Sequence, residues 1–334
     1  MTPTGTLVGV FAVGAGVSLG ASWLLVIRLE RIGAALGFSE ALLGMVAALA
    51  ADAPEITSAI TALAGHEPKI GAGVVIGSNV FNLAALLGVS ALVAGQIALD
   101  RRVVELEGAV AVWIALVCVA VVVGLISPAA GLVAVLAVFV PYLVFLGVRH
   151  DRLHRLGLPS RWAAWLTSAI VEEEAELEPA IHPSRGGIRD VAGAFVAVVT
   201  VVVASVAMEK TASRLGARHH VPDIVVGALI LAAVTSLPNA VAAVYLARRG
   251  RGAATLSTAM NSNALNVTAG FLIPGAAIGI GARSASASLV AGAYLGVTLL
   301  ALACAYAGRG LRRIHGALII GAYLAFVVSL LAVA

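Results

Sequence analysis

Two stretches of the chain repeat one polar pattern inside strongly apolar sequence. ADAPE at 51–55 corresponds to TSLPN at 235–239, and GSNVFNL at 77–83 corresponds to NSNALNV at 261–267. Pro54 aligns with Pro238 at an offset of 184 residues, and the other paired positions share this offset without a gap. We call residues 184 apart twin positions. Duplicated polar breaks within apolar segments indicate a membrane transport protein built from two related halves.

The composition supports a membrane location. The 334 residues are 61% hydrophobic and 11% charged, whereas soluble domains carry roughly 25% charged residues. A transmembrane helix needs about 20 apolar residues. The first apolar segment is too long for a signal peptide and lacks a basic leader, so we expect a retained helix. Ten predicted spans lie at about 6–27, 40–64, 71–94, 108–126, 129–148, 191–208, 223–246, 253–273, 286–306 and 315–334.

Basic residues predict the orientation of these helices. With the N-terminus outside, most of the 21 lysines and arginines fall in inside loops, as the positive-inside rule requires. The net charge of +4 therefore reflects topology, and no nucleic-acid partner is expected. Five spans lie in 1–148 and five in 191–334, so the second half begins on the opposite side of the membrane. The predicted fold is all-α and integral to the cell membrane, with ten transmembrane helices in two inverted five-helix repeats and both termini outside.

The segment 149–190 is predicted to be a cytoplasmic connecting loop. It contains Trp162 and Trp165, followed by five glutamates within 172–178. One interpretation is a solvated connector with a short interfacial helix on the tryptophans. The other is a regulatory cation-sensing segment, although the run lacks the spaced ligands and glycine turn of a calcium loop.

Asp52 and Glu55 are expected near the middle of the second predicted helix, away from loops and helix ends. A carboxylate at that depth costs on the order of 3 kcal/mol on insertion scales. A structural ion pair is one explanation, but no lysine or arginine is expected at this depth. A mobile cation is the natural partner, and we interpret the two carboxylates as part of a cation site.

The prolines point to the same region. Pro54 removes the helical donor of the Ala50 carbonyl, and Pro238 does the same to Val234. In a membrane, free carbonyls are tolerated where they line a cavity or bind a ligand, and hard cations bind such oxygens. Two simple proline kinks remain the alternative.

Side-chain oxygens complete the predicted site. Asn82 and Asn266 lie three positions beyond Asn79 and Asn263, about one helical turn. Each asparagine could ligate a cation or join helices by hydrogen bonds; for the duplicated set we favour the site. No zinc cluster, Walker sequence or nucleophile–base pair is apparent, which predicts no cofactor, no enzymatic activity and transport driven by an ion gradient.

These paired segments resemble the two alpha repeats of the calcium/cation antiporter superfamily, the sodium/calcium exchangers and their relatives. The family pattern is T-S-x-P-E followed by G-S-N-x-x-N, and the match covers about 45–90 and 228–275. The resemblance implies alternating access, in which the first and sixth helices slide past a rigid block of eight. It also implies cation sites formed by the second, third, seventh and eighth helices, with Ca²⁺ and Na⁺ or H⁺ as ligands. A monomer in the bilayer is compatible with it.

The resemblance assigns ligands residue by residue. Glu55 matches the first family glutamate, but Asn239 stands at the second glutamate position. Asn261 replaces the second glycine, and Ala51 and Asp52 replace a Thr-Ser pair. The predicted ligand set is Ala50, Ala51, Asp52, Glu55, Ser78, Asn82, Val234, Thr235, Ser236, Asn239, Ser262 and Asn266.

We expect Asp52 to compensate for Asn239, so that two carboxylates still neutralise one divalent cation. Such close carboxylates repel, and a proton on one of them would suit proton-coupled exchange. The leading prediction is export of Ca²⁺ in exchange for Na⁺. The alternatives are a Ca²⁺/H⁺ exchanger, an exchanger of altered selectivity if Asp52 points away, and a channel or scaffold.

Overall fold

The structure is a computed structural model that describes residues 3–36, 40–147 and 186–334. Regular structure in these residues is helical apart from two short strands. The first half contains α1 (Thr4–Leu36), α2 (Glu40–Ala51), α3 (Ala53–Ala64), α4 (Pro68–Ala94), β1 (Gln96–Ala98), α5 (Arg101–Val122) and α6 (Pro128–Gly147). The second half contains α7 (Ile188–Arg218), α8 (Asp223–Thr235), α9 (Leu237–Arg248), α10 (252–278), α11 (Ala285–Gly308), β2 (Gly310–Arg312) and α12 (Arg313–Val333).

The helices have the length and composition of membrane spans. Among the described residues, seven helices are long and apolar enough to cross a bilayer, and two bent helix pairs raise the number to nine. The remaining predicted span, 253–273, lies within α10, which carries several polar residues. The all-α membrane class is therefore confirmed, while ten helices in two inverted repeats stay a prediction.

Two helix pairs are bent at twin positions. α2 and α3 meet at 51°, with Asp52 between them, and α8 and α9 meet at 48°, with Ser236 between them. Pro54 and Pro238 each lie in the first turn after the break, where a missing N–H costs no helical hydrogen bond. The prolines thus begin the second helix of each pair, and the 40–64 and 223–246 segments are each broken rather than continuous.

Three of the described helices contain a π-helical stretch, a feature that is frequent at functional sites. In α4 it covers Leu83–Val89, and in α10 it covers Asn266–Leu272. In α8 it covers Val226–Leu231. The stretches in α4 and α10 begin next to Asn82 and at Asn266, so the twin asparagines share their backbone setting.

α1 and α7 pack along each other and are the longest helices described. They contain 33 and 31 residues, or roughly 50 Å of helix, more than the hydrocarbon core of about 30 Å. The described helices thus extend beyond the predicted spans 6–27 and 191–208. Charged residues lie within these helices, and Arg28 binds Asp190 across the pair at 2.8 Å.

α4 lies in the interior of the molecule, because 94% of its most apolar 18-residue stretch is buried. Its contact with α8 depends on glycine. A Cβ on Gly77 would lie 2.4 Å from the Ala228 Cα, and one on Gly227 would lie 2.4 Å from the Ile70 carbonyl oxygen. Small residues allow this close backbone approach, which brings a helix of one half against the broken helix of the other.

A short two-stranded sheet joins the two halves. β1 pairs antiparallel with β2, with Gln96 opposite Arg312. The strands follow α4 and α11, so this sheet holds two connections between helices together. The predictions for Trp162, Trp165 and the acidic run 172–178 lie outside the described residues.

Candidate cation site

The two helix breaks have the same backbone geometry. Asp52 has φ −81° and ψ −4°, and its twin Ser236 has φ −83° and ψ −1°. Each break is followed one turn later by a polar side chain, Glu55 in the first half and Asn239 in the second. Both breaks are buried, since these four residues are at most 2% exposed.

Two hydrogen bonds connect the breaks in a cross. The Asn239 amide donates through Nδ2 to Asp52 Oδ1 at 2.6 Å. The Ser236 hydroxyl donates to Glu55 Oε1 at 2.8 Å. Because 52 and 236 are twins, as are 55 and 239, exchanging the halves converts one contact into the other. The first half supplies both acceptors, and the second half supplies both donors.

The twin serines of α4 and α10 have different partners. Ser262 Oγ donates to Asp52 Oδ1 at 2.7 Å and accepts from Asn82 Nδ2 at 3.1 Å. Ser78 Oγ donates to the Val74 carbonyl of its own helix at 2.6 Å. Asp52 Oδ1 therefore accepts two hydrogen bonds from the second half, and a twin of the Ser262 contact is not among the hydrogen bonds of the described residues.

Four asparagines join α4 to α10 reciprocally. Asn79 and Asn263 each donate Nδ2 to the backbone carbonyl of the other at 3.2 Å. Asn82 donates to Asn263 Oδ1 at 3.1 Å, and Asn266 donates to Asn79 Oδ1 at 3.3 Å. The amide nitrogens thus connect the helices, as one of the two interpretations of the asparagines predicted.

The same residues leave oxygen atoms without partners. Four buried side-chain oxygens have no hydrogen-bond partner among the described residues: Asp52 Oδ2, Glu55 Oε2, Asn82 Oδ1 and Asn266 Oδ1. Ser58 Oγ, one turn after Glu55, is another. Buried polar atoms are normally paired, and an unsatisfied one costs about 1–3 kcal/mol. A hard cation binds carboxylate and amide oxygens, so both interpretations of Asn82 and Asn266 hold together: the nitrogen joins helices and the oxygen is free.

The backbone oxygens of the two breaks differ. Ser22 Oγ of α1 donates to the Ala50 carbonyl at 2.8 Å and approaches that of Ala51 at 3.3 Å. Its twin position is Val206, which has no hydroxyl. Ser22 was missed by the sequence analysis, because a serine in an apolar helix gives no signal of its own.

Thr235 and Val234 lie at the second break, and among the described residues their side chains form no hydrogen bond to the carboxylates. Thr235 Oγ1 donates to the Leu231 carbonyl of its own helix at 2.9 Å, and Val234 is half-buried. The ligand roles predicted for Ala50, Ala51, Val234 and Thr235 therefore stay predictions.

One expectation about the charged residues was wrong. Asp52 and Glu55 are not the only ones buried within the described helices, because Glu107 of α5 and Glu209 of α7 are each 2% exposed. The predicted span began at 108, whereas α5 begins at Arg101, which places Glu107 almost two turns inside. The apolar residues on both sides of Glu107 were the available signal.

The oxygen set indicates which cations the site suits. It consists of carboxylate, amide and hydroxyl oxygens, which Na⁺ and Ca²⁺ prefer, whereas zinc prefers histidine and cysteine. No group of three His, Cys, Asp or Glu residues that could hold a metal ion occurs in the part of the chain that the structure describes. The carboxylates have no basic partner there either, since both recorded salt bridges join Asp190 to arginines of α1.

Broken helices that meet at a buried oxygen-lined site define the architectural class of secondary ion transporters. Within this class, the chain belongs to the family described as sodium/calcium exchanger protein, whose model matches residues 6–149 and 190–332. The family resemblance inferred from the duplicated motifs is thereby confirmed.

Individual relatives agree with this assignment. An uncharacterized membrane protein of Methanocaldococcus jannaschii, MJ0091, is 26% identical over 251 residues, which cover 74% of each chain. The sodium-calcium exchanger NCX_Mj, soaked with Na⁺ and Sr²⁺, superposes with a TM-score of 0.61 at 20% identity, covering 98% of this chain and 99% of the other. The H⁺/Ca²⁺ exchanger CAX gives 0.71 at 17% identity, covering 99% and 82%. At these identities the two structures establish the fold.

Proposed function

We propose that the protein is a secondary antiporter that exports Ca²⁺ in exchange for Na⁺ by alternating access. The observation that carries this proposal is the set of four unpartnered buried oxygens on Asp52, Glu55, Asn82 and Asn266. They come from both halves and from both kinds of element, the helix breaks and the π-helical segments. The proposal includes ten spans in two inverted repeats, with both termini outside.

Charge balance favours a divalent cation. Asp52 and Glu55 together carry two negative charges, which one Ca²⁺ neutralises. Asn239 contributes an amide donor to Asp52 and no charge, so the second half adds nothing to this balance. Asp52 therefore compensates for the missing second glutamate, and it points toward Asn239 rather than away from it.

The same charges account for exchange rather than release. Once Ca²⁺ leaves, two buried carboxylates remain uncompensated, and each costs several kcal/mol without a partner. A carrier in that state crosses to the other conformation slowly. Na⁺ ions restore neutrality and allow the return step, which makes the two transport steps obligatory partners.

The long helices provide a route for alternating access. α1 contacts the site through the hydrogen bond from Ser22 to the Ala50 carbonyl. α1 also contacts α7 through Ser18 and Ser205, whose hydroxyl oxygens are 2.7 Å apart. The Ser18–Ser205 contact lies between the two long helices and is kept when they move together. The Ser22 contact with the Ala50 carbonyl is a hydroxyl hydrogen bond worth about 1 kcal/mol, so sliding of α1 past this carbonyl breaks a weak interaction.

Proton exchange is the second candidate. It is favoured by the position of both carboxylates on one helix break, three residues apart. A proton on one of them would relieve their repulsion when Ca²⁺ leaves, which would replace Na⁺ as the coupling ion.

Transport in liposomes separates these proposals. Purified protein is reconstituted, the vesicles are loaded with Na⁺, and Ca²⁺ uptake is followed after dilution into Na⁺-free medium. A second set receives a pH step without Na⁺, and ionophores that collapse each gradient serve as controls. We expect uptake with the Na⁺ gradient. Uptake with the pH step alone would establish the proton candidate, and no gradient-driven Ca²⁺ uptake would refute Ca²⁺ antiport.

A further inference from the structure

A buried polar ring lies beside the cation site on residues that its function does not use. Tyr142 Oη of α6 lies 2.7 Å from Glu107 Oε1 of α5 and 3.0 Å from Asn261 Oδ1 of α10. Asn261 Nδ2 donates to Ser257 Oγ at 2.7 Å, and Ser257 hydrogen-bonds to Glu107. The four side chains close a ring and are each at most 5% exposed.

The number of protons in this ring points to a neutral Glu107. A tyrosine hydroxyl has one proton, and an amide oxygen can only accept. When Tyr142 donates to Asn261 Oδ1, its short contact with Glu107 Oε1 needs a proton from the carboxyl group. Ser257 accepts from Asn261 and donates to Glu107, so every contact in the ring has one donor when Glu107 carries a proton.

No cation in the described residues replaces that proton. The basic residue nearest to the ring along α10 is Arg251, which directly precedes this helix. It lies six positions before Ser257, or about 9 Å along the helix axis. On α5 itself, Arg101 lies six positions before Glu107, and its guanidinium lies 5.0 Å from the ring centroid of Tyr306 on α11. α11 places the apolar Leu302 against Gly108. From α6, the titratable neighbour is Tyr142.

The ring adjoins the cation site through the backbone of α10. Asn261 precedes Ser262, whose hydroxyl donates to Asp52 Oδ1 at 2.7 Å. If Glu107 loses its proton, the Tyr142 proton is drawn to the carboxylate and its bond to Asn261 is lost. This loosens α10 at the residue before Ser262. The resemblance to the family expects glycine at 261, so the ring depends on a side chain in which this chain departs from it.

We propose that Glu107, with Tyr142, Ser257 and Asn261, forms a proton-binding site whose occupancy tunes Ca²⁺ affinity at the Asp52–Glu55 site. The effect on Ca²⁺ affinity rests on the proposed cation function, whereas proton binding at Glu107 does not depend on transport. The proton holds the ring closed and keeps Ser262 against Asp52. Its loss at alkaline pH weakens Ca²⁺ binding.

Infrared spectroscopy tests the proton directly. The purified protein at neutral pH should show the carbonyl band of a protonated carboxyl group that Glu107→Gln removes and the matched control Glu105→Gln, an exposed residue of the same helix, retains. Identical bands in the wild type and Glu107→Gln would overturn the proposal, even if Ca²⁺ transport were normal. If transport failed and the band were present, only the proposed function would fall.

Ca²⁺ binding tests the coupling. Glutamine has no titratable proton, so the affinity of Glu107→Gln should lack the alkaline loss. Coupled sites typically change each other's affinity by about fivefold or more. We therefore expect the Ca²⁺ affinity of the wild type to fall by about this factor at alkaline pH, and that of Glu107→Gln to stay unchanged. Tyr142→Phe should retain the carboxyl band but lose the coupling. An equal alkaline loss in the wild type and Glu107→Gln would overturn the coupling.

Discussion

The helix breaks at Asp52 and Ser236 have nearly the same backbone dihedral angles, but the first supplies hydrogen-bond acceptors and the second supplies donors. The bends are 51° and 48°, and a proline lies in the first turn after each break. The first break carries two carboxylates, whereas the second carries a hydroxyl and an amide. Each acceptor of one break meets a donor of the other, at 2.6 and 2.8 Å.

This difference distinguishes the features that occur in both halves, which are structural, from the charges, which occur in one half. The bends, the prolines and the reciprocal asparagines repeat, because both halves build the same helix contacts. The charges do not repeat, since a cation between the halves responds to the total charge rather than to its origin. A site with both charges in one half can therefore balance the same cation as a site with one charge in each.

The largest effect is expected for Glu55→Gln. The substitution removes one of the two charges and leaves a side chain of the same size at a buried position. Loss of a buried charge contact costs about 2–5 kcal/mol, which is roughly 30-fold or more in affinity. Ca²⁺ binding to the purified variant should fall by that factor, and Ca²⁺ uptake should cease. Glu105→Gln is the control, and wild-type affinity in Glu55→Gln would remove Glu55 from the site.

The twin serines allow a sharper comparison of the halves. Ser262→Ala removes a donor to Asp52, and hydrogen bonds to charged groups contribute about 1.5–3 kcal/mol, or roughly 10- to 100-fold in Ca²⁺ affinity. Ser78→Ala removes a hydroxyl bonded to its own helix, which adds little to stability. We expect its affinity within about threefold of wild type. Equal losses in the two variants would contradict the difference between the halves, because Ser78 would then contribute as much to the site as Ser262 does.

The sequence predicted the halves and the members of the site better than the contacts between them. The offset of 184 placed Asp52 opposite Ser236, and the two prolines lie next to the positions where the predicted spans 40–64 and 223–246 are broken. The cross-contacts of Asn239 and Ser262 with Asp52 depend on how the halves pack, which no local pattern encodes. Glu107 was missed for a different reason. A charged residue near the end of an apolar segment is normally assigned to the loop, and only the start of α5 at Arg101 shows that Glu107 lies inside the helix.

The longest described helices extend beyond the apolar spans predicted from the sequence. α1 extends to Leu36 and α7 begins at Ile188, and Arg28 and Arg31 bind Asp190 between the two helices at 2.8 and 3.4 Å. Paired charges are tolerated in a helix end that hydropathy alone would exclude. The pairing partner lies more than 150 residues away, so it cannot be read from the sequence around either arginine.

The central claim is that Asp52 supplies the negative charge that Asn239 lacks. Transferring the carboxylate from position 52 to position 239 tests this claim most directly. Na⁺-driven Ca²⁺ uptake would be measured for Asp52→Ser, Asn239→Glu and the double variant, with equal amounts of folded protein verified by size-exclusion chromatography. Asp52→Ser should lose about tenfold or more, consistent with the loss of a buried charge contact. The double variant restores two carboxylates, one from each half, and should recover most of the uptake. A double variant no better than Asp52→Ser, although folded, would contradict compensation of Asn239 by Asp52.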